Sequence, residues 1–480
     1  MAELHDLTAL EQAGAVRRHE ISPVELVEHH LARLHRRNDE LGAFVTVTED
    51  AARQQAREAE RRVTEEDPAL LPPLFGVPTA IKDLNLTAGV RTTLGSKVYE
   101  QFVPPVDDHV VELLRRAGTV SLGKTNTPEF GLPCYTEPAT APPARTPWDP
   151  SRSAGGSSGG AGAAVAAGMV PFAQGSDGGG SVRIPASVCG LVGIKVSRGR
   201  VSNGPVVGDT TGLAWNGPLA RTVRDAAALL DAMAVPMPGD PHWAPPLTGG
   251  ETFLSYAGRD PGRLRIGRWA TPVVAQADVH PDCLAGYQEA TRALVELGHE
   301  VEDVAAPFPP DVTAYFETVW AVASQGAPVE EGREGELQPL TRWLRARGAA
   351  TSAPQFVQAM ARLQMLSRQW IAATAAYDAV LSPTLASPPV PVGHFTAGGG
   401  PAEDFARQKA FTPFTAVYNV TGQPAVSLPL HWTGATGEHP VLPIGVMLAG
   451  RPAQEATLIM LSAQLEDARP WADRRPPGWD

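Results

Sequence analysis

The feature that most constrains this chain is a pair of glycine- and serine-rich segments separated by small apolar residues. The sequence GGSSGG occupies residues 155–160, and GSDGGGS occupies residues 175–181. The alanine-rich run from Ala161 to Ala167 predicts a helix that can pack very close to a neighbour, because its side chains are small. Three consecutive glycines before Ser181 let backbone N–H groups converge on one point, as in an oxyanion hole or an anion nest. Either segment alone fits a tight turn equally well.

The stretch from Ser153 to Ser176 contains no charged residue, which is one property of a membrane span. Its first half is glycine and serine, however, and Pro171 interrupts the apolar remainder, whereas a span needs about 20 mostly apolar residues. We interpret the stretch as a buried loop and helix. The N-terminus is charged from its third residue and has no basic region followed by an apolar one, so we expect no signal peptide.

Charge and cysteine usage restrict the partners and the compartment. The formal net charge of −12 argues against a phosphate backbone or an anionic membrane as the main partner. The three cysteines show no CxxC spacing and are odd in number, which argues against a disulfide framework or a zinc site. We therefore expect a cytoplasmic protein that binds neither nucleic acid nor membrane.

Helical and strand patterns alternate along the chain and predict an α/β fold. A capping box at Ser22–Glu25 begins an N-terminal helix, on which His29 and His30 are expected to be solvated rather than metal-binding. The predicted strands lie at residues 44–47, 119–122, 191–194, 379–381, 425–430 and 444–448. The other predicted helices lie at residues 51–63, 110–116, 161–167 and 223–233, over most of 308–377, and at 455–466. Residues 382–401 are rich in proline and glycine and predict a long loop.

Two familiar motifs match the sequence but lack the structural setting that they need. Residues 118–125 satisfy GxxxxGK[ST], the phosphate-binding loop, but the middle of the match is a β-branched apolar run that predicts a strand. Residues 155–159 satisfy GxSxG, but a turn precedes them instead of the buried strand that leads into a nucleophile elbow. A nucleotide-binding protein and an α/β-hydrolase are therefore both disfavoured.

The run from Ser153 to Arg200 resembles the amidase signature family. The family's GGSSGG segment, its D-x-GGS-[IV]-R segment and its glycine- and lysine-containing segment are all present, the last at residues 193–200. VPTAIKD at residues 77–83 and GKTN at residues 123–126 are similar to two further family runs. The resemblance is most specific from about residue 74 to 230. Within the family, the motif residues are most similar to those of bacterial aryl-acylamide and oligoamide (6-aminohexanoate cyclic dimer) hydrolases.

The resemblance implies an amidase-signature α/β fold, in which a central mixed β-sheet is covered by helices on both faces. It implies one domain over residues 1–480, with a signature core at about 74–230, a helical substrate-pocket region at about 306–377, and C-terminal strands and a helix at about 378–468. It implies no metal and no cofactor. The expected partner is a small-molecule amide or carbamate substrate, and the expected assembly is a monomer or a homodimer.

By the same resemblance, the catalytic unit consists of two serines and a lysine. Ser181 would be the nucleophile, Ser157 would be the bridging serine with a cis peptide bond, and Lys82 would be the terminal base. Backbone amides would form the oxyanion hole, namely those of Gly178, Gly179, Gly180 and Ser181. Polar side chains would support these groups, namely Ser158, Asp177 and Arg183. The segment after GKTN would contact the substrate, through Gly131, Leu132 and Cys134.

The chemistry of a lysine base agrees with this assignment. A serine hydroxyl needs a base within hydrogen-bond reach, and a lysine can act as one only when it is neutral. Burial lowers the pKa of a lysine, and Lys82 ends the strongly apolar run at residues 77–81. We therefore expect Lys82 to be buried.

The sequence departs from the family pattern at several positions without losing a catalytic group. Gly178 stands where the family usually has Thr or Ile, which predicts a more flexible oxyanion loop and a wider mouth. The loop at 382–401 is expected to line or cover the acyl pocket. We predict a broad amidase with esterase and urethanase activity. The alternatives are a nucleotide-binding protein, a catalytically inactive interaction protein and a glutaminase-type amidotransferase subunit.

Overall fold

The computed structural model describes residues 3–206, 208, 210–309, 311–434 and 441–480. In this part of the chain the helices are α1 (Ala9–Arg17), α2 (Pro23–Leu41), α3 (Glu49–Glu65), α4 (His109–Arg116), α5 (Gly159–Ala166), α6 (Arg183–Cys189), α7 (Val223–Met233), α8 (Phe253–Tyr256), α9 (Pro281–Glu296), α10 (Val312–Ala323), α11 (Pro339–Ala350), α12 (Ala353–Ala373), α13 (Pro401–Phe411), α14 (Ala416–Thr421) and α15 (Glu455–Ala468). Short 3-10 turns lie at Pro68–Leu70, Lys97–Tyr99, Glu129–Gly131, Ser324–Gly326 and Glu334–Glu336.

The strands form one large and one small sheet. They are β1 (Phe44–Val47), β2 (Pro78–Lys82), β3 (Val120–Thr125), β4 (Phe172–Asp177), β5 (Val192–Lys195), β6 (Trp215–Ala220), β7 (Arg265–Arg268), β8 (Glu300–Asp303), β9 (Ala379–Pro383), β10 (Ala425–Trp432) and β11 (Pro443–Gly450). The large sheet has the order β4-β6-β5-β10-β11-β9-β7-β8, and the small sheet has the order β1-β3-β2.

Both sheets are mixed. In the large sheet the pairs from β4 to β9 are antiparallel, whereas β7 pairs in parallel with both β8 and β9. In the small sheet β3 is antiparallel to β1 and parallel to β2. The prediction of a mixed sheet within an α/β fold is confirmed.

The core lies on both faces of the large sheet because its strands alternate their side chains between two sets of helices. Val426 and Leu428 of β10 belong to a buried cluster that also holds residues of α7, α9 and α15. The intervening Ser427 faces the other side, where Ser187 of α6 lies close to Gly445. The sheet is therefore covered by helices on both faces, as predicted.

Most predicted elements are present, with boundaries shifted by a few residues. The capping box forms at the start of α2, where Ser22 and Glu25 bond reciprocally to backbone N–H groups. The GKT residues of the rejected phosphate-loop match lie within β3. The amides of Gly123 and Lys124 are thus committed to a strand, which is incompatible with a phosphate-binding loop.

The prediction that His29 and His30 are both solvated is wrong for His30. Its side chain is fully buried and its Nδ1 lies 3.1 Å from the carbonyl oxygen of Met169. His30 falls on the apolar face of α2 together with Val27 and Leu34, so helical spacing carries it inward. His29 is partly buried and stacks on His5.

Helix α5 packs against the small sheet at Gly160, where no side chain can be accommodated. A Cβ at this position would lie 2.3 Å from the backbone nitrogen of Asn126 and 2.4 Å from the carbonyl oxygen of Ala43. We expect Gly160→Ala to lower the free energy of unfolding by about 3 kcal/mol, because backbone atoms must move to relieve the overlap. Guanidinium unfolding measures the change.

Gly14→Ala in α1 is the matched control. Its Cβ would approach only the flexible end of Arg18, at 3.0 Å, and alanine gains up to about 1 kcal/mol of helix propensity over glycine. Equal stabilities for the two variants would contradict the close packing of α5.

Candidate active site

Lys82 ends β2 and lies between the two sheets. Its side chain is fully buried. Its backbone N–H donates to Oε1 of Gln174 on β4 at 2.9 Å, which fixes the strand end. Its Nζ lies 2.8 Å from Oγ of Ser157 and 3.0 Å from Oγ of Ser176, with the Ser176 carbonyl oxygen at 3.3 Å. All three contacts are with neutral oxygen atoms.

Burial controls the protonation of Lys82. Loss of solvation lowers its pKa to about 7, against a weaker opposing effect of the Asp177 carboxylate. No carboxylate is hydrogen-bonded to Nζ among the described residues. At neutral pH a substantial fraction of Lys82 is therefore an uncharged amine, the form that can accept a proton.

The two glycine- and serine-rich segments are joined by hydrogen bonds near this lysine. The peptide bond between Gly156 and Ser157 is cis, as the family resemblance implied. The N–H of Ser158 donates to the carbonyl oxygen of Ser181 at 3.1 Å. The hydroxyl of Ser158 donates to the Ser176 carbonyl at 3.1 Å and accepts from the Ser176 N–H at 3.2 Å. Both segments thus form one polar layer around Lys82.

Asp177 and Arg183 form a fully buried ion pair beneath the glycine loop. Arg183 donates through Nε and Nη2 to the two carboxylate oxygens, at 2.9 and 2.8 Å. Asn419 of α14 donates to Oδ1 and to the carbonyl oxygen of Asp177, both at 2.9 Å. Burial alone would raise the pKa of Asp177, but Arg183 and the hydrogen bonds hold it well below its usual range.

The glycine loop presents most, but not all, of the expected oxyanion donors. The N–H of Gly180 donates to Oδ1 of Asp177 at 2.7 Å, so that amide already has an acceptor. Within the described residues, the N–H groups of Gly178, Gly179 and Ser181 have no protein acceptor. The loop is held from its other side by Thr415, whose hydroxyl donates to the Gly179 carbonyl at 2.5 Å.

A small cavity of about 60 Å³ opens at Ser181. Its walls come from the segment at 132–134, from Val274, and from helices α6, α10, α13 and α14. The side chains that shape it are mainly apolar and aromatic, namely Leu132, Ile184, Val274, Phe316, Trp320 and Phe405. Phe316 and Trp320 stack with an interplanar angle of 18°.

The predicted substrate contacts lie around this cavity. Leu132 and Cys134 line it, and a Cβ on Gly131 would lie 3.3 Å from Oγ of Ser157. Trp320 of α10 also lines it. The space beside Gly178 is occupied, since a Cβ there would lie 3.3 Å from the Trp320 ring. The expected wider mouth is therefore absent at that point.

The loop at 382–401 does not line the cavity. The cavity wall is built instead by α13, which follows the loop and contributes Phe405, Gln408 and Lys409. The loop packs on the protein through Phe395, whose ring stacks on Tyr135 at 4.8 Å. The prediction placed the wall too early in the chain, because a long proline- and glycine-rich segment gives no signal of where it packs.

Two other candidate sites are accounted for by ordinary contacts. Lys124, in the phosphate-loop match, is buried and donates to Thr87, Thr92 and the Asn85 carbonyl. Among the described residues, one group has the spacing of metal ligands, namely Glu3, His5 and His29. It lies beside the C-terminal Trp479, away from the cavity, and the two histidines hydrogen-bond each other. No helix of the described chain has the length and apolarity for crossing a membrane.

Three polar groups of the site were missed by sequence reasoning. Ser176 contacts Lys82 directly, Asn419 anchors Asp177, and Thr415 holds the glycine loop. Ser176 directly precedes Asp177, which the family resemblance had singled out, and this position was the sequence signal that could have identified Ser176. Thr415 caps α14 and Asn419 lies within it, and nothing in the local sequence shows that they reach the first half of the chain.

The Asp177–Arg183 pair should dominate the stability of this site. We expect Asp177→Asn to lower the free energy of unfolding by about 3–5 kcal/mol, because it leaves the Arg183 guanidinium buried without its counterion. Guanidinium unfolding of both proteins provides the comparison. Glu20→Gln breaks the exposed Arg18–Glu20 pair and is the control, with an expected effect below about 1 kcal/mol. A small effect for Asp177→Asn would show that the pair is not the anchor.

Comparison with known proteins identifies the family. Residues 25–459 match the family model Amidase. The 6-aminohexanoate-cyclic-dimer hydrolase of Paenarthrobacter ureafaciens is 36% identical, over 98% of this chain and 96% of that protein. A solved structure of 6-aminohexanoate cyclic dimer hydrolase complexed with substrate superposes with a TM-score of 0.88 at 33% identity, over 100% of both chains.

Two further relatives bear on the type of reaction. The acylamidase of Rhodococcus erythropolis is 34% identical over 98% of each chain. One component of the glutamyl-tRNA(Gln) amidotransferase from a Synechococcus strain is 35% identical over 96% of each chain. Overall identity does not separate these two relatives, and the family model Amidase, which matches residues 25–459, is what assigns the chain to the amide-cleaving enzymes. The chain belongs to the amidase signature family, and it is a hydrolase of carbon–nitrogen bonds other than peptide bonds.

Proposed function

We propose that this amidase hydrolyses small acylamides through an acyl-enzyme on Ser181, with Ser157 and Lys82 as the proton relay. The range would include anilides and oligoamides, and carbamates are acyl-like enough to enter the same site. The observation that carries the proposal is the 2.8 Å contact between Nζ of Lys82 and Oγ of Ser157 in a fully buried setting. A lysine in that position has no evident structural use, since no anion pairs with it among the described residues.

Proton transfer would start at the lysine. Neutral Lys82 accepts the proton of the Ser157 hydroxyl, and Ser157 accepts the proton of Ser181 as Oγ of Ser181 attacks the acyl carbon. Ser176 would orient Nζ, because its hydroxyl and carbonyl occupy the other two contacts of the lysine. The Ser157 hydroxyl then gives its proton to the departing amine and regains one from the Lys82 ammonium, and a water that is deprotonated through the same relay attacks the acyl-enzyme and releases the acid from Ser181.

The charge that develops on the acyl oxygen would be stabilised by backbone amides. We assign this role to the N–H groups of Gly178, Gly179 and Ser181, and assign Gly180 to holding the loop through Asp177. Loss of one oxyanion donor typically lowers the rate by about 10²–10³. The ion pair beneath the loop would therefore act on the rate indirectly, through the position of these amides.

The cavity supports a small, largely apolar fragment as the group bound beside Ser181. Its volume of about 60 Å³ and its aromatic wall favour short acyl chains and flat rings over a folded polypeptide.

A glutaminase-type amidotransferase subunit is the alternative. It would act with partner proteins on aminoacyl-tRNA, and the net charge of −12 gives no support for contact with RNA.

We further propose a reducing compartment, the cytoplasm, because Cys134, Cys189 and Cys283 are buried free thiols.

The nucleophile can be identified by covalent labelling. We expect a fluorophosphonate to add one phosphonyl group to Oγ of Ser181, and 4-nitroacetanilide to be hydrolysed by the same protein. Ser181→Ala should lose both properties while keeping its melting temperature. Mass spectrometry of the intact protein and of its peptides locates the label. A labelled Ser181→Ala variant, or an unlabelled active enzyme, would refute the assignment.

The pH profile tests Lys82. Because the base must be uncharged and its pKa is about 7, kcat/KM should rise with pH up to about 7 and level off above it. Lys82→Met should lower kcat/KM by at least about 10²-fold, within the range typical for a lost general base, and should abolish that inflection. Circular dichroism across the pH range checks that folding does not produce the profile. A flat profile in the active wild-type enzyme would remove Lys82 from the relay.

A further inference from the structure

The wall of the Ser181 cavity carries one cationic side chain. Among the residues that line the cavity, Lys409 of α13 is the only one with a charged side chain. The remaining lining is apolar or neutral. A single ammonium in an apolar wall is costly to bury without a counterion, so its partners indicate what the site can bind.

Lys409 is only partly neutralised by the protein. Its Nζ lies 2.5 Å from Oε1 of Glu317 on α10, but the other carboxylate oxygen of Glu317 lies 3.1 Å from Nη2 of Arg347 on α11. One carboxylate is thus shared between two cations, and the cluster of Lys409, Glu317 and Arg347 keeps a net positive charge. Glu317 does not line the cavity, whereas Lys409 does.

The ammonium of Lys409 also keeps donor capacity. It carries three N–H groups, and within the described residues Glu317 is its one acceptor. Its Nζ lies 5.5 Å from the centre of the Phe405 ring, which lines the same wall. Lys409 is 21% exposed, so a ligand in the cavity can reach it.

Lysine is rare at the surface of this chain. Five of the 40 basic residues are lysines, namely Lys82, Lys97, Lys124, Lys195 and Lys409. Three of them are fully buried and one, Lys97, is exposed. Lys409 is therefore the lysine that combines partial exposure with a place in the cavity.

We propose that the preferred substrates of this enzyme are amides that carry a carboxylate, bound by Lys409 at the end of an apolar spacer. This inference rests on the proposed function and names its substrate class. The apolar wall holds the spacer, and the carboxylate takes the free donors of the ammonium as a charge-assisted hydrogen bond. In a protein with a net charge of −12, a local cation also offsets the repulsion of an anionic substrate.

Matched substrate pairs test the proposal on either side of the scissile bond. The acyl-side pair is the 4-nitroanilide of glutaric acid, with one free carboxylate, and the 4-nitroanilide of pentanoic acid. The amine-side pair is 4-acetamidobenzoate and 4-acetamidobenzamide. We expect the ratio of kcat/KM, anionic over neutral, to fall by about fivefold or more in Lys409→Met for one of the pairs, as is typical of a partly exposed charged contact. The responsive pair shows which fragment occupies the cavity.

Glu317→Gln supplies a change of opposite sign. It removes the carboxylate that competes with the substrate for Lys409, so the same ratio should rise. Lys409→Arg keeps the charge and should retain most of the preference, which separates a charge effect from a packing effect. Lys97→Met removes an exposed lysine outside the cavity and should leave the ratio unchanged.

Binding to Ser181→Ala gives a measurement that does not depend on turnover. By calorimetry, 5-phenylpentanoate should bind this variant more tightly than 5-phenylpentanol, and adding Lys409→Met should remove the difference. If amides are cleaved but the kcat/KM ratios and the binding preference are the same in the Lys409 and Glu317 variants as in the parent protein, the pair merely joins α10 to α13 and the inference is overturned. If no amide is cleaved, the proposed function fails, and the calorimetry still decides the role of Lys409.

Discussion

The proposed chemistry of this protein depends on keeping Lys82 away from water and without a counterion. The Nζ atom of Lys82 contacts three oxygen atoms, and each is neutral. A nearby carboxylate within hydrogen-bond distance would stabilise the ammonium and remove the base, while solvent would do the same. The fold therefore has to bury the amino group of Lys82 between two sheets, with hydroxyl and carbonyl groups as its hydrogen-bond partners.

The nearest carboxylate is prevented from playing that role by its own partners. Asp177 follows Ser176 directly, yet both of its oxygens are taken by Arg183, Asn419 and the amide of Gly180. The same contacts set the shape of the glycine loop. One buried ion pair thus engages the carboxylate nearest to the proposed base and also positions the loop of the proposed oxyanion amides, so two requirements of the proposed site are met by a single arrangement.

Short contiguous motifs predicted the residues of the proposed catalytic centre. Lys82, Ser157 and Ser181 each lie in a short run of residues that matches the family pattern, and the structure brings Lys82 and Ser157 into contact. The cavity wall was less predictable, because Trp320 and Lys409 come from helices that reach Ser181 only through tertiary packing. Gly178 shows the same limit: the missing side chain was evident from sequence, but not the indole that fills its space.

The position of Lys82 at the boundary between the sheets has a mechanical consequence. Lys82 belongs to the small sheet through β2, whereas Ser176 belongs to the large sheet through β4. The proposed base and the serine that would orient it therefore lie in two sheets that are not joined by strand pairing in the described chain. A slide of one sheet past the other by about 1 Å would disturb the contact between Nζ of Lys82 and the Ser176 hydroxyl with every strand intact. The Gln174 side chain accepts a hydrogen bond from the Lys82 N–H and so joins the end of β2 to β4. We expect this hydrogen bond to matter for the reaction, by keeping the two sheets aligned, as well as for folding.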